Sequence, residues 1–231
     1  MASTSRSSST RPRWFPIVAV VLSGLLLGLL IVNVLARNDA GPTRSSPAGG
    51  ALPAARADSH IIDSAGPDAP TLVEFLDFEC EACSALHPVV QDVREHYRGK
   101  INYVLRHFPL SGHPNAVPAA LAVEAAAQQG QIEAMADVLL ETQAQWSGRP
   151  DSQAPLFRTY AERLGLDMAR YDADVADPAT LARVQQDYAD GEKLGIRGTP
   201  TFIVDGKVLT LNKLSDLTDP IDEALAAAPR R

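Results

Sequence analysis

Two cysteines are the whole thiol complement of this 231-residue chain, and they stand together as Cys80-Glu81-Ala82-Cys83 directly after the apolar run Thr71–Phe78. That order places a dithiol where a strand hands over to a helix. The free N–H groups and the positive dipole end of a helix N-terminus favour a thiolate there. Three residues along a helix bring the two side chains to one face at about 5–6 Å between Cα atoms, a separation a disulfide can bridge. Thiol–disulfide exchange is the chemistry this pattern serves best. Half of a zinc site is the first rival, but closed zinc sites take four Cys or His ligands and no second Cys pair or His pair of metal spacing follows. A purely structural bridge is the second, and closing so short a loop constrains the unfolded chain little. No metal and no cofactor is expected.

The elements that must position this pair can be read from periodicity. Strand character marks Thr71–Phe78, Ile101–Phe108 and Thr201–Val204, with Asp205-Gly206 turning the last into Lys207–Leu209. Helical patterns cover Glu81–Tyr97, Pro114–Gln129, Ile132–Gln143, Ala154–Leu164, Ala179–Leu194 and Leu214–Ala227. The stretch 113–194 is too long for one crossover and almost wholly helical, so it reads as a helical insertion into an α/β sheet domain spanning 59–227.

Ahead of that domain, Ile17–Leu35 is apolar apart from Ser23, Gly24, Gly28 and Asn33, long enough to cross a hydrocarbon core. Arg6, Arg11 and Arg13 precede it without an acid, which keeps residues 1–16 cytoplasmic and sends the remainder across the membrane. A cleavable signal peptide is the rival reading, with Val34-Leu35-Ala36 shaped like a cleavage site, but the apolar run exceeds the usual length. Residues 36–58, rich in Gly, Pro, Ser and Ala, read as a flexible tether. All 28 acids and 18 of the 21 basic residues lie beyond Ala36, so the exported part is strongly acidic. Nucleic acid is thereby excluded as an expected partner.

Taken in order, Leu72-Val-Glu-Phe-Leu-Asp-Phe-Glu-Cys80 with Cys83, Arg106-His-Phe-Pro-Leu110 with His113-Pro114, and Gly195-Ile-Arg-Gly-Thr-Pro-Thr-Phe-Ile-Val-Asp-Gly-Lys207 resemble the DsbA-like branch of the thioredoxin superfamily. The likeness runs from about Thr71 to Ala227. It implies a thioredoxin-like fold with an inserted helical domain, here preceded by the transmembrane segment, and a cis peptide bond at Thr199–Pro200 beside the cysteines, leaving Thr199 backbone groups for an extended substrate. Cys80, nearer the helix end, is expected to attack and be attacked, and Cys83 to resolve the mixed disulfide. Glu74 matches an acid buried beneath the active site, where a raised pKa would let it exchange a proton with Cys83; a solvated strand carboxylate is the competing reading. His87, His107, His113 and Trp146 read as packing or junction residues.

This sequence departs from the strongly oxidising pattern, which carries His between the cysteines. Glu79 and Glu81 flank Cys80 instead and are expected to raise its pKa, making a milder oxidant. The resemblance implies a monomeric, membrane-anchored, extracytoplasmic protein disulfide oxidoreductase acting on exported cysteine-containing proteins. It would be reoxidised by a quinone-linked membrane partner of the DsbB or vitamin K epoxide reductase-like type. A reductase of the cytochrome c maturation type, or an anchored peptide-binding module without enzyme activity, are the alternatives.

Overall fold

The computed structural model describes residues 54–227. The expected membrane segment Ile17–Leu35 and most of the tether lie outside them. Among the described residues no helix is long and apolar enough to cross a membrane.

Five strands form one sheet: β1 His60–Asp63, β2 Thr71–Leu76, β3 Asn102–His107, β4 Thr201–Val204 and β5 Lys207–Val208. Their spatial order is β1-β3-β2-β4-β5, with β2 parallel to β3 and the other pairs antiparallel. The parallel β2–β3 pair needs a crossover, supplied by helix α1, Glu81–His96, which has Pro88 within it. Central β2 is buried on both faces, so its sequence is a continuous apolar run broken only by Glu74. Its alternation still sorts side chains. Leu72 packs with Val90, Val93, Phe202 and Leu217 on one face, and Val73 and Phe75 pack with Phe108, Ile196 and Ile203 on the other.

Between β3 and β4 run α2 Ala116–Ala127, α3 Ile132–Glu141, α4 Ala154–Arg163, α5 Met168–Ala176 and α6 Pro178–Lys193, and α7 Ser215–Ala227 follows β5. The thioredoxin-like α/β fold with a helical insertion is therefore the architecture. The insertion has its own core, centred on Trp146 and Phe157, whose rings meet edge to face at 4.9 Å. That core also takes in Phe78, Cys80 and Cys83, so the active-site turn is one wall of it.

Three features differ from the sequence reading. Edge strand β1 was not expected; His60-Ile61-Ile62-Asp63 is short and has no regular alternation, and pairing with β3 is what orders it. Helix α5 was also missed, although Asp167 caps it by accepting from the Arg170 N–H at 3.1 Å. Residues 54–58, expected within the linker, pack onto the domain instead. Ala54 is buried and its carbonyl accepts from Arg106 Nη1 at 2.9 Å, while Arg56 Nη1 reaches Asp190 Oδ2 at 2.9 Å. Those contacts complete an ion cluster in which fully buried Arg106 donates to Asp187 at 2.7 Å and to Asp190 at 2.7 Å. A guanidinium so far from water needs both carboxylates, and they hold α6 against β3.

Candidate active site

Chain leaves β2 at Leu76 and turns through Asp77-Phe78-Glu79 before α1 begins. Cys80 is the N-cap, with extended backbone, and its carbonyl accepts from Cys83 N–H at 3.0 Å and Ser84 N–H at 3.2 Å. Cys80 is 8 % exposed and Cys83, one turn in, 2 %. Both are free thiols. Across from them, the peptide bond Thr199–Pro200 is cis and the Cys80 Sγ–H points at the Thr199 carbonyl at 3.3 Å. The structure thus brings Cys80, Cys83, Thr199 and Pro200 together at one end of the sheet. Gly195, with φ of +84°, ends α6 in the left-handed turn that leads the chain into this loop.

The two sulfurs sit in opposite electrostatic states. A hydrogen bond from the Cys83 thiol is the largest influence lowering the Cys80 pKa to about 5, opposed by burial and helped by the Thr199 side chain and then by the backbone N–H groups of Cys83 and Ala82. Cys83 is pushed far above the ordinary thiol range, first by that same bond to Cys80, then by burial, with the Glu74 charge adding to it. One thiol is ready as a nucleophile and a good leaving group; the other holds its proton.

Glu74 lies beneath them on β2, 4 % exposed, and accepts a short hydrogen bond from the Tyr103 hydroxyl. Burial raises its carboxyl to about 7, against the Tyr103 bond and the charges of His87 and Arg94, which lower it. A buried acid titrating near neutrality, with its field felt at Cys83, suits proton exchange with that thiol.

The rise in the Cys80 pKa expected from Glu79 and Glu81 does not prevail, because the net shift is downward. Glu81 is exposed at the first turn of α1, where water screens it. Glu79 is buried and turned away into the insertion: its Oε2 accepts from Asn115 N–H at 2.5 Å and its Oε1 from Gly148 N–H at 2.8 Å. It fastens the helical insertion to the active-site turn.

Other residues that hold this turn carry no local signal in the sequence. Gln143, from the 3₁₀ turn after α3, donates its amide to the carbonyls of Phe78 at 2.7 Å and Cys80 at 2.9 Å. Ser84 Oγ donates to the Leu140 carbonyl at 2.8 Å. Buried Asp77 accepts from the Glu79 N–H at 2.8 Å and the Leu110 N–H at 2.9 Å, and its Oδ2 lies 2.6 Å from His113 Nδ1. Burial raises Asp77, and the Asp77 carboxylate raises His113 against the opposing effect of its own desolvation. A groove of ≈ 570 Å³ runs past Ala82 and Pro200, between α1 and the segment after β5. Ala82, Leu86, Pro200, Phe202, Leu211 and Leu217 are among the side chains lining it.

A dithiol at a helix N-cap, facing the residue before a cis-proline, on a β-α-β sheet closed by a ββα unit, defines a thioredoxin-fold protein equipped for disulfide exchange. The family model described as thioredoxin matches residues 65–223, and the chain belongs to that family. Its architecture is that of the DsbA-like branch. A thioredoxin-like oxidoreductase from Silicibacter pomeroyi superposes with a TM-score of 0.63 at 29% identity, over 75% of this chain and 95% of that one. Wolbachia pipientis alpha-DsbA1 superposes with a TM-score of 0.64 at 22% identity, over 75% and 94%, a likeness of fold. Among curated relatives, a Na(+)/H(+) antiporter NhaA 3 of Salinispora tropica is 43% identical over 145 residues, 62% of this chain. The chain spans about a fifth of that relative's length, 21%.

Proposed function

We propose that this protein is an extracytoplasmic thiol–disulfide oxidoreductase that forms disulfides in exported proteins. The observation that carries the reading is the asymmetric pair: Cys80 at the helix end against the Thr199 carbonyl, with its thiol lowered to about 5, and Cys83 buried behind it with its thiol raised. In the oxidised protein a substrate thiolate attacks Cys80 Sγ, the Cys80–Cys83 bond breaks, and Cys83 leaves and takes up a proton through Glu74. A second substrate thiolate then attacks the substrate sulfur of the mixed disulfide. The new substrate disulfide forms and Cys80 departs as a thiolate, which its low pKa makes an easy leaving group. Two electrons pass from substrate to the protein's dithiol. The low Cys80 pKa stabilises the reduced form and so supports the oxidising direction.

The backbone of Thr199 and Pro200 would bind the extended substrate chain, and the apolar groove beside them would take large side chains flanking the reacting cysteine. Residues 17–35 would serve as a retained membrane anchor. That placement suits reoxidation by a quinone-linked membrane protein of the DsbB or vitamin K epoxide reductase-like type.

The test joins a potential to a trap. Equilibration with glutathione is expected to give a reduction potential between about −200 and −120 mV, and Cys83→Ala to accumulate mixed disulfides joined through Cys80. A potential near the −270 mV or so of thioredoxin would mark a reductant instead. Trapping through Cys83 in a Cys80→Ala protein would reverse the assigned roles.

A further inference from the structure

Away from the cysteines, three side chains that disulfide exchange does not use converge on one point. His60 opens edge strand β1, His107 ends β3, and Glu124 lies in the middle of α2. His60 Nε2 and His107 Nε2 each lie 2.8 Å from the same atom, Glu124 Oε1. All three donor atoms fall within 4.8 Å of one another. Glu124 is the one charged residue on a helix otherwise made of Ala, Val, Leu and Pro. Its side chain is 2 % exposed, and its ion-pair partners are these two imidazoles. His107 is fully buried, and its other nitrogen, Nδ1, has no hydrogen-bond partner, so its ring is oriented from the Nε2 side alone.

We propose that His60, His107 and Glu124 form a binding site for a divalent transition ion, zinc by its donor set. Two imidazole nitrogens and one carboxylate oxygen are the protein ligands of a class of tetrahedral zinc sites whose fourth position is left to water. A tetrahedral ion with bonds of ~2.0–2.1 Å spaces its donors ~3.3 Å apart, so Glu124 Oε1 would retreat from each imidazole by about half an ångström, and the two Nε2 atoms, no more than 4.8 Å apart, would settle to the same spacing. His60 is partly exposed at the sheet edge and gives the ion its way in. The unpartnered Nδ1 of His107 lacks the outer hydrogen bond that usually strengthens a ligating imidazole, so affinity should fall short of a closed structural site. The bound ion would tie β1, the end of β3 and the insertion together. It would sit behind the active-site turn, since the Phe78 ring packs on His107 with centroids 5.9 Å apart.

Thiolates bind zinc as well, so the test uses full-length protein with Cys80 and Cys83 oxidised to the disulfide. Equilibrium dialysis against zinc is expected to show one ion per chain, with a rise in melting temperature that grows with zinc concentration. Cobalt in its place is expected to give d–d bands without sulfur-to-metal charge transfer. His60→Asn, at the partly exposed ligand, should keep the fold by circular dichroism and weaken zinc binding at least tenfold; Glu124→Gln should do the same where it folds. Absence of zinc binding by the oxidised protein overturns the proposal, as does binding unchanged in folded His60→Asn.

Discussion

Cys83→Ala removes the largest single influence on Cys80, the hydrogen bond from its neighbour's thiol, while sparing the helix N–H groups that also face the sulfur. A hydrogen bond to a charged group is worth ~1.5–3 kcal/mol, and ~1.36 kcal/mol corresponds to one pKa unit, so the Cys80 midpoint should climb by ~1–2 units. The wild-type thiol, lowered to about 5, is ~99% thiolate at pH 7. In the variant that fraction should drop to ~50–90%, since the amides and the helix end still depress the thiol. The rate of alkylation of the reduced protein by iodoacetamide, followed from pH 3 to pH 9 or so, reads the midpoint directly because only the thiolate reacts. Two results would refute the reasoning. A midpoint in Cys83→Ala unchanged within the measurement would assign the whole depression to the helix terminus and the Thr199 side chain. A midpoint restored to the ordinary ~8.5 would show that the helix terminus contributes nothing.

Glu74→Gln should change how stability depends on pH. Burial holds the Glu74 carboxyl at about 7, whereas an unfolded Glu titrates near ~4.3, so across that window the folded state binds more protons and the wild type loses stability as pH rises, by about 4 kcal/mol in all. Urea unfolding should therefore show the variant gaining on the wild type from pH 4 to pH 8 or so, and parallel pH profiles would show that Glu74 ionises in the fold as freely as outside it. Gly191→Ala tests the seam between α6 and the sheet: a Cβ there would stand 2.7 Å from Phe108 Cδ2 and Cε2 and 3.3 Å from Phe75 Cδ1. Phe108 is stacked on Tyr188 at 4.6 Å and cannot swing clear, so the variant should lose ~1–3 kcal/mol by chemical denaturation despite alanine's better helix propensity. A stabilised variant would mean that α6 can shift.

The primary sequence by itself determined the elements whose signals are local. The apolar run of β2, the CxxC beginning a helix, the Gly-Thr-Pro before β4 and the Asp205-Gly206 turn each need only a few neighbouring residues, and their bounds in the structure fall within two residues of those read from the pattern. Burial of Glu74 was legible as an acid within a run too apolar to face water, although alternation alone could not settle it. Direction and partnership were not legible. Glu79 adjoins Cys80 in the chain, yet its carboxylate is claimed by the amides of Asn115 and Gly148, 36 and 69 residues away. Gln143 holds the Cys80 carbonyl from 63 residues off, and Arg106 meets Asp187 across 81. Edge strand β1 owes its order to pairing with β3, and the His60–His107–Glu124 cluster exists only because β1, β3 and α2 are brought side by side. A side chain between a strand and a helix is free to turn either way until distant amides or carboxylates offer it hydrogen bonds. Buried polar groups must find such partners wherever the packed chain puts them, which is why the tertiary structure alone decided which acid lies beside the thiol and which is drawn away.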